Sequence, residues 1–196
     1  MKRFILVILT MSVLIFSCQK GDTGANGPQG PAGPAGEDGY LVMQFQNGMF
    51  PSSFYTGTYD TRIANNTLSK LNFGSCSNII FGNEISSIWR GLLKFDISEI
   101  NQAAIVKSAY LTLYAHTING SVDVEVYKVT KNWTEGAGNC GGTADVNASW
   151  DYFNGSSNAW TTPGGDYDLT TQSEVKTVTT TGYYTIKLNI QMVQDW

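Results

Sequence analysis

Six residues in the middle of the chain combine charge, aromatic faces and hydrogen-bonding tips: Arg90, Lys94, Tyr110, Tyr114, His116 and Tyr127. They share one alternate phase of three consecutive segments whose other phase is apolar. Sugar rings present C–H faces that stack on aromatic rings, and their hydroxyls or carboxylates take hydrogen bonds from guanidinium, ammonium and phenol groups. The set is therefore a candidate ligand-binding face for a saccharide. Arg90 and Lys94 are the cations an acidic polymer would need, and pairing with Asp123 or Glu125 would make them structural instead. The same tyrosines also suit the outer skin of a sheet, where cross-strand packing favours Tyr and Thr.

Other chemistry is sparser. Glu135, Asp166 and Asp168 lie in loops near glycines, where carboxylates and free carbonyls could supply the six to eight oxygens that calcium prefers. No EF-hand spacing accompanies them, and solvent-facing loop acids read the same way. Trp133, Trp150 and Trp160 are either stacking platforms or plugs at loop bases, the second being the commoner fate of large aromatics. Cys76 and Cys140 sit in Gly-flanked loops and are candidates for a disulfide in an oxidising compartment, or else two free thiols. With one His and no CxxC, a zinc site lacks ligands. No GxSxG, HExxH or phosphate loop is present, so the residues point to no catalytic role. A lyase or hydrolase built on paired carboxylates is the remaining enzyme reading.

The elements that must carry these residues read as β-strands. In residues 89–97, Trp89, Gly91, Leu93, Phe95 and Ile97 share a phase; in 109–115, Ala109, Leu111, Leu113 and Ala115 do; in 122–126, Val122, Val124 and Val126 do. Period-two alternation predicts half-buried strands. Asn119-Gly120 is the strongest local hairpin signal and predicts pairing of Tyr114 with Glu125 and of Thr112 with Tyr127. Further strands are expected at 40–46, 60–63, 78–82, 174–178 and 183–190, with one amphipathic helical turn at the C-terminus. The stretch 136–169 has turn dipeptides and no helical period, yet its aromatics are costly to leave in water, which predicts packed loops. The fold class is all-β, a sandwich.

Ahead of these strands, residues 1–17 have a short basic start and an apolar run, the pattern of a secretion signal rather than a spanning helix. Ile15-Phe16-Ser17-Cys18 resembles a bacterial lipobox, in which Cys18 is lipidated and becomes the first residue. An ordinary signal peptide cleaved near Ser17 is the alternative. The lipoprotein reading places the protein in a bacterial outer membrane, at the cell surface or the periplasmic face. From residue 21 to 39 every third residue is Gly, six complete triplets of a collagen-like Gly-X-Y repeat. Either a flexible spacer or a homotrimer-forming stalk fits this tract, and an adhesive surface protein assembling through it is a second functional reading. Removing residues 1–17 takes two of the 12 bases and none of the 16 acids, leaving a formal net charge of −6. Such a balance disfavours nucleic acid as a partner.

The ordered series YDTRI, NFG, WRGLLKFDI, AIVKSAYLTLY, VEVYKVTKNWTEG, NAWTTPGGDYD and IQMVQDW, over residues 58–196, resembles the DNRLRE domain, a family related to disaggregatase repeats and classed among carbohydrate-binding modules. The resemblance implies a jelly-roll β-sandwich over residues 40–196, non-catalytic binding of a polysaccharide with acidic glycans as a theme, and calcium as a structural ion. The chain departs from the family where GAGNCGG replaces a Val-Thr-Trp strand. A second departure is that family members continue beyond the region like QMVQDW, which predicts a domain truncated at its C-terminus.

Overall fold

Strands form where β-branched and aromatic residues alternate with polar ones, and the computed structural model places thirteen of them among its described residues, 10–16, 40–84, 86–140, 142–144 and 147–196. In chain order they are β1 (Thr10–Phe16), β2 (Tyr40–Phe45), β3 (Thr58–Ala64), β4 (Leu71–Asn72), β5 (Gly82–Glu84), β6 (Ser87–Phe95) and β7 (Ile105–Ala115). Then come β8 (Val122–Val124), β9 (Lys128–Val129), β10 (Thr143–Ala144), β11 (Tyr167–Asp168), β12 (Lys176–Val178) and β13 (Gly182–Lys187). One short helix, α1 (Ile190–Gln194), closes the chain and is capped by the Asn189 side chain, which accepts from the Gln191 N–H. The larger sheet runs β13-β7-β1-β2 and the second β3-β6-β5, with the pairs β10-β4, β11-β9 and β12-β8 beside them. All of these pairings are antiparallel. This is the all-β sandwich that the alternation predicts.

The main core lies between the two larger sheets. β7 supplies Ala109, Leu111, Leu113 and Ala115, β13 supplies Ile186, β6 supplies Phe95, and Met192 and Val193 of α1 close one end. A second, tryptophan-rich core of Ile63, Leu92, Trp133, Ala148, Trp150 and Trp160 covers the opposite face of β6. A third gathers Phe73, Cys76, Ile80 and Trp89 around the Cys76–Cys140 disulfide, whose Cα atoms are 5.0 Å apart. Of the two readings of these cysteines, the disulfide is the one present.

Three expectations need correction. β6 is buried on both faces rather than one, because Trp133, Ala148, Trp150 and Trp160 pack with Leu92. The Asn119-Gly120 hairpin does not form: both edges of β7 are already taken, by β13 and β1, so β8 crosses away and pairs with β12. Tyr114 consequently faces Tyr183, and Thr112 faces Thr185. The strand expected at 78–82 lies at Gly82–Glu84, while Ile79 and Phe81 press on Gly91 so closely that a Cβ there would sit 2.5 Å from Ile79 Cγ2.

At the N-terminus, β1 lies between β7 and β2, pairing Thr10 with Thr112 and Met11 with Phe45. It comes from the segment read as a leader. Cys18 and the Gly-X-Y tract lie outside the described residues. Among those residues, no helix is long and apolar enough to cross a membrane.

Candidate functional site

Arg90 and Lys94 leave β6 on the same face, four residues apart, with Leu92 between them. The register sets Ile63 beside Arg90 and Tyr59 beside Lys94. Arg90 lies over the Trp150 ring, 5.0 Å from its centroid, and 5.5 Å from that of Tyr167. Its Nη1 donates to the Gly164 carbonyl at 2.7 Å. A Cβ on Gly164 would come within 2.7 Å of the Trp150 ring and 3.0 Å of Arg90 Nη1, so glycine is what permits this approach. Pairing of β11 with β9 brings Tyr167 next to Tyr127, with ring centroids 5.1 Å apart. The Tyr127 hydroxyl donates to Glu125 at 2.5 Å, which occupies that acid and pushes the phenol pKa up.

Lys94 is held between the rings of Tyr59 and Trp133, at 5.2 and 5.3 Å, and donates to the Trp133 carbonyl at 3.1 Å. Neither Asp123 nor Glu125 neutralises these two cations, since the Asp123 carboxylate accepts from the Thr177 hydroxyl at 2.6 Å. Below Lys94 lies a pair of carboxyls. Glu135 accepts the Asp60 N–H at 2.7 Å, capping the free edge of β3. Burial, reinforced by the Glu135 charge, pushes the Asp60 carboxyl up to about 6. Burial raises Glu135 as well, opposed by that hydrogen bond and by Lys94.

Beyond Trp89 the second edge of β6 has no strand partner in the register, and a groove runs along it toward the segment carrying Tyr127 and β9. It contains a 450 Å³ cavity at the Arg90, Tyr127 and Tyr167 end and a 300 Å³ cavity at the Lys94, Lys128 and Lys131 end, which share Leu93, Leu111, Val126, Tyr127 and Val129 as walls. Cations with aromatic faces beside them can stack a sugar ring and hold a carboxylate.

The structure thus gathers Arg90, Lys94 and Tyr127 from the sequence-derived set and separates the others. Tyr110 and Tyr114 lie on the outer face of β7, in the other sheet, where Tyr114 meets Tyr183 with ring centroids 4.9 Å apart. His116 is exposed just after β7, 3.0 Å from the Thr117 hydroxyl. One shared phase does not mean one shared surface, because β6 and β7 belong to different sheets.

The proposed calcium ligands do not converge. Asp166 accepts from the Thr161 and Thr162 N–H groups, Asp168 caps the turn at Leu169–Thr171 by accepting from Thr170, and Glu135 serves β3. Among the described residues, no group of three or more His, Cys, Asp or Glu is arranged to hold a metal ion. Glu135, Asp166 and Asp168 therefore do not form one calcium site together. Trp133, Trp150 and Trp160 are buried plugs, with Trp160 Nε1 donating to the Ser149 carbonyl at 2.9 Å.

Two residues behind the site escape the sequence patterns. Asn72 is fully buried and donates to the Glu135 and Ala148 carbonyls while accepting from the Gly74 and Gly138 N–H groups. A Cβ on Gly138 would fall 2.1 Å from the Asn72 carbonyl oxygen, which explains the glycine at that position of the GAGNCGG departure. Arg62 is 4% exposed, stacks over Phe73 and Trp89, and donates to Asn78 and to the Cys140 carbonyl. Arg62 lies in YDTRI and Asn72 in NFG, two of the segments that carry the family resemblance, but nothing in either segment marks these side chains as buried hydrogen-bonding centres.

Residues 51–139 match the model of carbohydrate-binding module family 96. That stretch holds Tyr59, Asp60, Arg90, Lys94, Tyr127 and Trp133, the frame of the groove. No curated protein and no solved structure matches the chain. The family match supports a carbohydrate-binding module rather than a catalytic domain.

Proposed function

We propose that the protein binds an acidic polysaccharide without cleaving it, using the groove along β6, and that it does so from a lipid anchor at Cys18 with the Gly-X-Y tract as spacer. The observation that carries the reading is the family match over residues 51–139 together with the placing of Arg90 and Lys94 against aromatic rings inside that stretch. Guanidinium and ammonium groups on aromatic walls suit a uronate chain, whose carboxylates take charge-assisted hydrogen bonds while its ring faces stack. The resemblance to the DNRLRE domain favours the same ligand class, and the lipobox-like run favours an outer-membrane lipoprotein. A glycan array probed with the full chain carrying Cys18→Ala tests the binding claim. Retention on uronate-containing glycans is expected. Retention on neutral glycans alone would remove the acidic ligand, and none at all would leave a structural or adhesive role. Mass analysis of the bound glycans after incubation is expected to find them intact; shortened or unsaturated products would reveal an enzyme.

A further inference from the structure

The 300 Å³ cavity at the Lys94 end of the groove has a floor that a saccharide does not need. Phe95, Leu111, Leu188 and Met192 form it, all of them members of the main core. Protein interiors are packed nearly as densely as organic crystals and keep few voids larger than a water molecule. An apolar void of about 150 Å³ is already enough to take up a benzene molecule. Twice that space, walled by core side chains and reaching the surface, is a binding pocket in size and lining. Its mouth is cationic. Lys94, Lys128 and Lys131 line it with one acid, Asp195, which pairs with Lys128 at 3.4 Å, while Glu135, Asp168 and Asp166 interact with the three lysines from outside the lining. In a chain whose formal net charge is −4, three lysines on one opening run against the average.

We propose that this pocket binds a single-chain amphiphile, an alkyl chain seated on Leu111, Leu188 and Met192 with an anionic head among the three lysines. The commitment to a fatty-acid-like carboxylate follows from the two halves of the site: the floor offers no polar partner, and the rim offers cations. The site overlaps the proposed glycan groove at Lys94, and what sets it apart is the apolar floor and the two further lysines, Lys128 and Lys131, which the glycan reading does not use.

Trp133 and Trp196 line the pocket, so their fluorescence reports occupancy. The experiment titrates hexanoate, octanoate and decanoate, each below its micelle concentration, into the full chain carrying Cys18→Ala. Expected is saturable one-to-one binding that tightens about fourfold per added methylene, the gain from burying one CH₂. Decanol should bind several-fold more weakly than decanoate, and Lys131→Gln should narrow that difference. Met192→Phe should fill the pocket and abolish binding. Should that variant fail to fold by circular dichroism, Val126→Phe, on the opposite wall, serves the same purpose. Affinity that ignores chain length, equal binding of decanol and decanoate, or unchanged binding in a folded pocket-filling variant would each overturn the proposal, whatever the glycan array shows.

Discussion

Asp60 shows how a residue with no motif can set a measurable property. The folded protein keeps a proton on it up to about pH 6, whereas the ordinary value is 3.8. A carboxyl raised in this way favours the folded state while it is protonated. Its contribution is therefore full below the unfolded value and is lost as pH rises from about 4 to about 6, by about 3 kcal/mol. Asp60→Asn is expected to raise the Tm at pH 7 and to flatten stability between pH 4 and 6 relative to the native chain; equal pH dependence in the two proteins would contradict the burial. Gly164 is the second telling residue. Its φ of +94° and its contact with Trp150 predict that Gly164→Ala costs about 1 to 3 kcal/mol and dislodges Arg90. Thermal melts check the first part and glycan affinity the second.

Among the elements, the strands were legible where a side-chain period of two meets one buried face, as in β7, whose odd positions from Ala109 to Ala115 are all buried. The pairing was not legible. Asn119-Gly120 is a local signal, and nothing local says that Gly182–Lys187 and Thr10–Phe16 already occupy both edges of β7. For the same reason Arg90 and Tyr110 looked like neighbours: alternation gives a phase within each strand and no information on which sheet the strand joins. The Glu135 to Cys140 segment is fixed by long-range contacts, the Asn72 side chain and the disulfide, and cysteine spacing alone left pairing open. Closing a loop of 64 residues contributes about 4 kcal/mol. Cys140→Ser is expected to lower stability by an amount of that order, read from urea midpoints at constant m, and a change under 1 kcal/mol would contradict a stabilising bridge. β1 carries a prediction of its own. A chain beginning at Cys18 lacks the strand between β7 and β2, so amide hydrogen exchange at residues 105–112 should be faster than in the full chain; identical protection would mean that β1 contributes nothing to that edge.

Across the whole molecule, an acidic chain places four cations, Arg90, Lys94, Lys128 and Lys131, along one groove, while the segment ahead of the sandwich repeats Gly at every third position. Six triplets hold a collagen helix weakly without a neighbouring trimerisation element. The full chain carrying Cys18→Ala is therefore expected to sediment as a monomer with or without residues 21–39. A trimer that depends on that tract would favour the adhesive reading instead. Calorimetric titration of a tetra-uronate into the native chain and into an Arg90→Gln, Lys94→Gln double variant tests whether the groove binds acidic glycan. Saturable binding by the native chain is expected, with a loss of at least tenfold in the folded double variant and weaker binding of the carboxyl-reduced tetrasaccharide. Equal affinity for the tetra-uronate in both proteins would contradict binding in the groove.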